Sequence, residues 1–590
     1  MLSYLIQFFV DAKNRFIPYL DWIHELKDPE VLKADIIAGI TVALVLIPQS
    51  MAYAQLAGLP PQMGLYSAFL VPIIAALFGS SRQLQNGPVA IISLMTAAAL
   101  IPLDLSAEQY VVYAAMLAIL AGVIQVVLGL LRLGILVDFL SHPVIIGFTN
   151  AAAIVISSLQ VGKLLGIDSE SGCHLYKTLW HLLIAIPEKT HFPTLAMGVF
   201  SLLLLLLFKK FTPRFPGILC TVVIAIFTSW LIGFDAMGGK IVAEIERGVP
   251  SFVIPVIQTK HLPNLILPAF MIALLSFVEA FSIAKAIASK TRQHLSADQE
   301  MVGKGLANLM AGFSQGYAVS GSFSRTAVAF DAGAKTGFAA IVSGLIVGIT
   351  LLFLTPLLYY LPVATLAAVI IVAVVGLIHL QPFQHAWAVN PHDGVIALVV
   401  FLCTLYFAPH LEWGIFIGVA LSLSFYILRT LKPHFAELAL NEDGTFRDAK
   451  IFGLKTSPNV AFFRYDGDLY FANAGYLERR ILNAVADKPE LKVLVLDLEA
   501  IEQIDATGEE MLSHMSERLE EAGIEFCITR PKFKVEDALK RSGLYDVIGK
   551  EHFFVKRVRA INAIKQKYGD QIDVNHLIFH LPVKDEADNK

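Results

Sequence analysis

From about residue 35 to residue 430 the chain repeats apolar runs that carry almost no charge. The first, ADIIAGITVALVLIPQSMAYAQLAG at 34–58, contains no Lys or Arg. A bilayer core about 30 Å thick is crossed by about 20 apolar residues in helical form. Runs of that kind lie at 36–56, 110–131, 194–208 with its flanks, 217–234, 265–288, 339–358, 393–408 and 413–430. Shorter or merged ones lie at 64–79, 88–101, 142–160, 301–314, 324–338 and 363–379. Together they make about fourteen candidate spans. A soluble protein with one outsized core would not repeat such runs so often, so the predicted class is a polytopic α-helical membrane protein.

Charge is partitioned sharply. Residues 1–440 hold 45 of the charged side chains and residues 441–590 hold 49. The last quarter therefore reads as an ordinary soluble domain. The net charge of −4 lacks the basic excess of a nucleic-acid binder. Cys173, Cys220, Cys403 and Cys527 are scattered, with no metal-ligand or disulfide spacing. No Walker A sequence, Ser/His/Asp set or metal-ligand cluster is evident, so neither an enzyme nor a bound cofactor or metal is expected. Asp11, Lys13 and Arg15 break the N-terminal stretch. That is unlike a cleavable leader, and the first span is expected to act as its own insertion signal. The expected divisions are a cytoplasmic segment 1–34, a transmembrane domain 35–430, a polar linker 431–450, an α/β domain 451–560 and a poorly ordered tail 561–590.

Basic residues orient the spans. With the N-terminus in the cytoplasm, Arg82, Arg132, Lys209, Lys210, Arg214, Lys290, Arg292, Arg429 and Lys432 fall on the cytoplasmic side. The loops at 161–192 and 235–262, with Asp168, Glu170, Asp235, Glu244 and Glu246, fall outside. An even number of spans returns the C-terminus to the cytoplasm of a cell inner or plasma membrane.

Two short spans begin alike, at Asn86-Gly87-Pro88-Val89-Ala90 and at Ser320-Gly321-Ser322-Phe323-Ser324-Arg325-Thr326. Each is the third span of its half if the chain divides near residue 262. Seven spans per half would make the halves inverted. Short, interrupted segments at matching positions are a sequence pointer to a transporter's binding site. A half-helix N-terminus offers unpaired N–H groups and positive potential to an anion. Two kinked packing helices are the plainer reading. Arg325 favours the first, because a guanidinium in an apolar span normally marks function. It also opposes the helix dipole unless an anion is present. Pairing with Glu279 is its alternative, and the two states can alternate. Glu279, mid-span in LLSFVEAFSIAKA, could exchange a proton, bind Na⁺, or hydrogen-bond a neighbouring helix. Gln49, Ser50 and Tyr53 follow Pro48 and could donate to an anion or simply pack.

The run from Pro61-Gln-Met-Gly-Leu-Tyr-Ser-Ala to Phe78-Gly-Ser-Ser-Arg82 resembles the signature of the SulP, or sulfate permease, anion transporters. DIIAGITVALVLIPQSMAYAQLAGLPP resembles their first span and SGSFSRTAVAFDAGAKT their tenth. The resemblance covers about 30–560. It implies a seven-plus-seven inverted repeat with core and gate domains that move like an elevator. It also implies an anion site between the third and tenth spans. Gln49 and Tyr53 match first-span site residues, Val89 and Ala90 the third-span helix start, and Ser324, Arg325 and the adjoining Thr326 the tenth. Glu279 matches an acidic position linked to cation coupling. Its presence favours H⁺ or Na⁺ symport over an uncoupled exchanger or channel, and the first-span and loop wording resembles sulfate-type members, with bicarbonate symport as the alternative. A homodimer is the implied assembly.

The tail changes period. NVAFFRYDGDLYFANA reads as a hairpin around Asp466-Gly467. LKVLVLDL and IEFCITR read as strands, and ATGEEMLSHMSERLEEAG and KVEDALKRSG as helices. This alternation indicates an α/β fold, and it resembles a STAS domain, expected to dimerise or dock a cytoplasmic regulatory protein. Ile504-Asp505-Ala506-Thr507-Gly508 matches a phosphorylation loop, except at Ala506. Thr507 occupies the acceptor position, with a helix cap as its plainer role.

Overall fold

The computed structural model describes residues 18–134, 141–167, 175–211, 217–245, 247–254, 261–376, 378–408 and 410–572. Cys173, Asp168, Glu170, Arg214, Glu246 and the end of the tail, DEADNK included, lie outside them. The chain divides into two compact units, up to Ser422 and from Leu423.

The first unit is helical. Asp28 caps α1, Pro29–Leu56, by accepting from Glu30 N at 2.9 Å, and Pro29 supplies the fixed φ of a first turn. There follow α2 (Pro61–Phe78), β1 (Asn86–Gly87), α3 (Ala90–Leu100), α4 (Ala107–Leu130), α5 (His142–Leu165), α6 (Leu175–Lys189), α7 (Phe192–Phe211) and α8 (Gly217–Ile232). The second half holds α9 (Leu262–Thr291), α10 (Ala297–Phe313), β2 (Ser320–Gly321), α11 (Phe323–Asp331), α12 (Phe338–Ile349), α13 (Val363–Val375), α14 (Gln381–Val389), α15 (Pro391–Phe407) and α16 (Glu412–Leu431).

A helix stands at each place where the sequence puts a span. Among the described residues, 8 helices are long and apolar enough to cross a membrane, and shorter apolar ones cover Ala90–Leu103, Gly217–Ile232, Val363–Val375 and Pro391–Phe407. Two expectations differ in detail. The span expected at 324–338 ends at Asp331, because Gly333 turns left-handed and the buried Asp35 carboxylate accepts Lys335 N and Thr336 N at 2.7 and 3.1 Å. The loop expected at 161–192 is largely helical: α5 continues to Leu165, and α6 shows one buried stripe through Thr178 and Leu182.

Packing sorts these helices into two sets. In one, α1, α2 and α12 pack together, and α10 packs on α2 and α4. In the other, α5 packs on α13 and α15, and α7 on α8 and α13. Close contact in the first set relies on glycine. The Gly122 carbonyl of α4 would lie 2.7 Å from a Cβ at Gly305 of α10, and the reverse distance is also 2.7 Å.

The second unit is a six-stranded sheet in the order β4-β3-β5-β6-β7-β8, in which β5 to β8 run parallel. Its strands are β3 (His434–Leu440), β4 (Phe446–Asp448), β5 (Val460–Asp466), β6 (Val493–Asp497), β7 (Glu525–Thr529) and β8 (Phe553–Phe554). The helices are α17 (Ala449–Phe452), α18 (Ala474–Ala486), α19 (Ala506–Glu521), α20 (Phe533–Ser542), α21 (Leu544–Ile548) and α22 (Arg557–Tyr568). Strand β6 is apolar from Val493 to Leu496 because both faces are covered. Leu494 and Leu496 join the core under α18 to α21, and Val493 and Val495 the core under α22.

Three expectations for this unit are corrected. Residues 431–450 are not a linker but the β3–β4 hairpin: Phe435, Ala436, Leu438 and Ala439 are buried, and Gly444 takes a φ of +78° in the turn. No hairpin forms around Asp466-Gly467. Strand β5 pairs with β3 and β6 instead, and Leu469 sinks into the core beside Ile504. The domain also continues past 560, because Ala560, Ile561 and Ile564 form a buried stripe on α22.

Candidate anion site

Strands β1 and β2 pair antiparallel, Asn86 with Gly321 and Gly87 with Ser320. The chain therefore leaves the ladder in opposite directions, and α3 and α11 begin back to back. Ser93 N donates to Val89 O as the first intrahelical bond of α3, and no side chain caps that helix. The N–H groups of Ala90, Ile91 and Ile92 thus have no intrahelical acceptor. On α11, Ser322 Oγ accepts from Arg325 N at 3.4 Å and Thr326 N donates to Ser322 O. Two positive helix ends thus start from one two-stranded ladder, where an anion would be stabilised.

They open on a cavity of about 530 Å³. Gln49 and Tyr53 of α1, Val89 and Ala90 at the start of α3, Ser324 of α11 and Glu279 of α9 line one side. The facing wall is apolar apart from the exposed Lys209, with Leu205 and Phe208 of α7, Ile218 of α8, and Val369 and Val372 of α13. The cavity thus lies between the two packing sets.

Six of the expected site residues share this cavity; Arg325 and Thr326 do not line it. Thr326 Oγ1 accepts from Gln85 N at 3.0 Å, which ties α11 to the strand before α3. That hydrogen bond is a structural tie. Arg325 is wholly buried behind the helix ends. Its Nη1 donates to Gln49 Oε1 at 3.3 Å, and its Nε and Nη2 have no partner among the described residues. Gly87 makes room for it: a Cβ there would lie 3.3 Å from Nη2, and its φ of +155° disfavours any other residue.

Ser320 Oγ donates to Ser276 O of α9 at 2.9 Å, and the Glu279 carboxyl of the same helix interacts electrostatically with Lys304 and Arg325. Its Oε2 has no hydrogen-bond partner among the described residues.

Sequence reasoning missed the buried Lys304 of α10, whose Nζ donates to Asn86 Oδ1 at 2.7 Å. The signal was a lysine inside the apolar run 301–314. Tyr317 was missed too; its hydroxyl shares a 3.0 Å hydrogen bond with Ser93 Oγ beneath α3.

Thr507 is exposed in the first turn of α19 and is not its cap. Asp505 takes that role, accepting from Gly508 N at 2.8 Å. Burial in β7 pushes the Cys527 thiol up to about 12, so it is inert packing, not a nucleophile. Among the described residues no group of His, Cys, Asp and Glu could hold a metal ion.

Comparison with known proteins shows the family of the chain. The sulfate permease family matches residues 32–400 and the STAS domain residues 452–560. "Sulfate transporter 4.1, chloroplastic" of Arabidopsis thaliana is 34% identical over 97% of this chain and 86% of its own. "Probable sulfate transporter MT1781" of Mycobacterium tuberculosis is 33% identical over 91% of this chain and 96% of its own. The fold is similar to that of the murine Slc26a9 anion transporter, with a TM-score of 0.87 at 24% identity over 95% of each chain.

Proposed function

The chain belongs to the sulfate permease family, a family of membrane anion transporters and not of enzymes, and from that premise we propose that it is a secondary active sulfate importer. The observation that carries this reading is the pair of half-helix ends at one cavity with the buried Arg325 behind them. Backbone N–H groups there replace water around a negative ion. Arg325 supplies a fixed positive charge, and Gln49, Tyr53 and Ser324 supply polar atoms at the rim. Sulfate is proposed because relatives 33–34% identical along most of both chains carry that name.

Coupling is assigned to Glu279, which takes up H⁺ or binds Na⁺ as the anion enters. A neutralised Glu279 no longer competes for Arg325, so anion and cation bind together. The two helix sets serve as core and gate of a seven-plus-seven inverted repeat. Elevator movement of the core against the apolar wall formed by α7, α8 and α13 would expose the cavity to either side. The transporter is proposed to sit as a homodimer in the cell inner or plasma membrane with both termini cytoplasmic. The STAS domain would then dock a cytoplasmic regulator, with Thr507 as its modifiable position.

Uptake of radiolabelled sulfate into proteoliposomes tests this directly. Competition by bicarbonate, chloride and oxalate is measured at two pH values, with and without Na⁺. Accumulation against a gradient that collapses with the pH or Na⁺ gradient is the expected result. Sulfate flux with no cation dependence would make the chain an uncoupled exchanger or channel. Preference for bicarbonate would replace the substrate.

A further inference from the structure

Lys304 is a lysine only 1% exposed, one helical turn after Glu300 on α10. Its contact with Asn86 places its ammonium against the strand that leads into α3. It interacts electrostatically with Glu279 of α9, Glu300 of its own helix and Arg325 of α11. Glu300 Oε2 accepts from Ser80 N, Ser80 Oγ and Ser81 N at 2.7, 3.0 and 2.9 Å. Glu279 keeps one oxygen open.

The charges of this cluster can be summed. Lys304 and Arg325 give two positive charges and Glu300 removes one. The two helix ends add about half a charge each. With Glu279 neutralised by its cation, the buried cluster carries a charge of about +2, and the exposed Lys209 of the facing wall stands outside it in water. With Glu279 ionised and uncompensated, it carries about +1. A buried charge is tolerated where it is balanced, so the neutralised state matches a divalent anion. Without Lys304 the same state falls to about +1 and matches a monovalent anion.

We propose that Lys304 sets the valence of the transported anion by supplying the second positive charge that a divalent ion requires. This rests on the transport reading given above and names the class of its substrate. Lys304 is a positioning residue: it acts on the anion through the field it sets up behind the half-helices and through Asn86.

The test compares initial uptake of radiolabelled sulfate and radiolabelled chloride by the full chain in proteoliposomes. Lys304→Gln keeps a donor for Asn86 and removes the charge. It should lower the ratio of sulfate to chloride uptake by about tenfold or more. Lys304→Arg keeps the charge and should keep the ratio. Asn86→Asp leaves the lysine in place and cancels it with a carboxylate, so it should lower the ratio as Lys304→Gln does. Monodisperse elution of each variant establishes folding. Either charge-cancelling variant, folded and with the wild-type ratio, overturns the proposal. So does an equal fall in both fluxes, which marks a purely structural lysine. A wild-type chain that takes up neither anion overturns the transport reading, and the valence proposal with it.

Discussion

Arg325 occupies the first turn of a helix, where its own charge opposes the dipole. Its burial with two unpartnered nitrogens makes sense when a negative charge approaches the helix ends. In the proposed mechanism Glu279 is the internal substitute for that charge. Glu279→Gln should therefore abolish dependence of sulfate uptake on the driving cation while sulfate–sulfate exchange persists. Full cation dependence in the variant would place coupling elsewhere. Both residues were legible in the sequence because a charge in an apolar run stands out. Lys304 did not stand out, since a lysine three residues into the run beginning at Met301 reads as one that reaches for the interface. Helix α10 starts earlier, at Ala297, which carries Lys304 inward. Tyr317 and Asn86 gave no signal, because their roles come from partners more than 200 residues away in the sequence.

Among the elements, the two interrupted helices were readable from Pro88, Gly87 and Gly321 and from the small residues around them. Their pairing through β1 and β2 was not, because two-residue strands have no periodicity. The β3–β4 hairpin was hidden for a different reason. Its alternating apolar face adjoins Asn441-Glu442-Asp443-Gly444, whose polarity made the whole stretch look like a connector. The α4–α10 crossing rests on Gly122 and Gly305 meeting backbone to backbone. Gly305→Val must push these helices apart, so the thermal unfolding midpoint in detergent should fall by several degrees. An unchanged midpoint would show that the crossing tolerates a side chain.

At the scale of the whole molecule, the division of charge between the first 440 residues and the last 150 anticipated two units of different chemistry. The first places the two helix ends opposite a largely apolar wall, and on the proposed reading the ion is held on one side while the other slides. The second has its own cores on both faces of its sheet. The account stands or falls on whether the half-helix ends and the buried guanidinium hold the anion. Equilibrium binding of radiolabelled sulfate to the purified full chain, wild type against Arg325→Ala, tests it most directly. Affinity should fall by about tenfold or more, while the variant elutes as a single folded species. A folded Arg325→Ala chain that binds sulfate as tightly as the wild type would contradict the account.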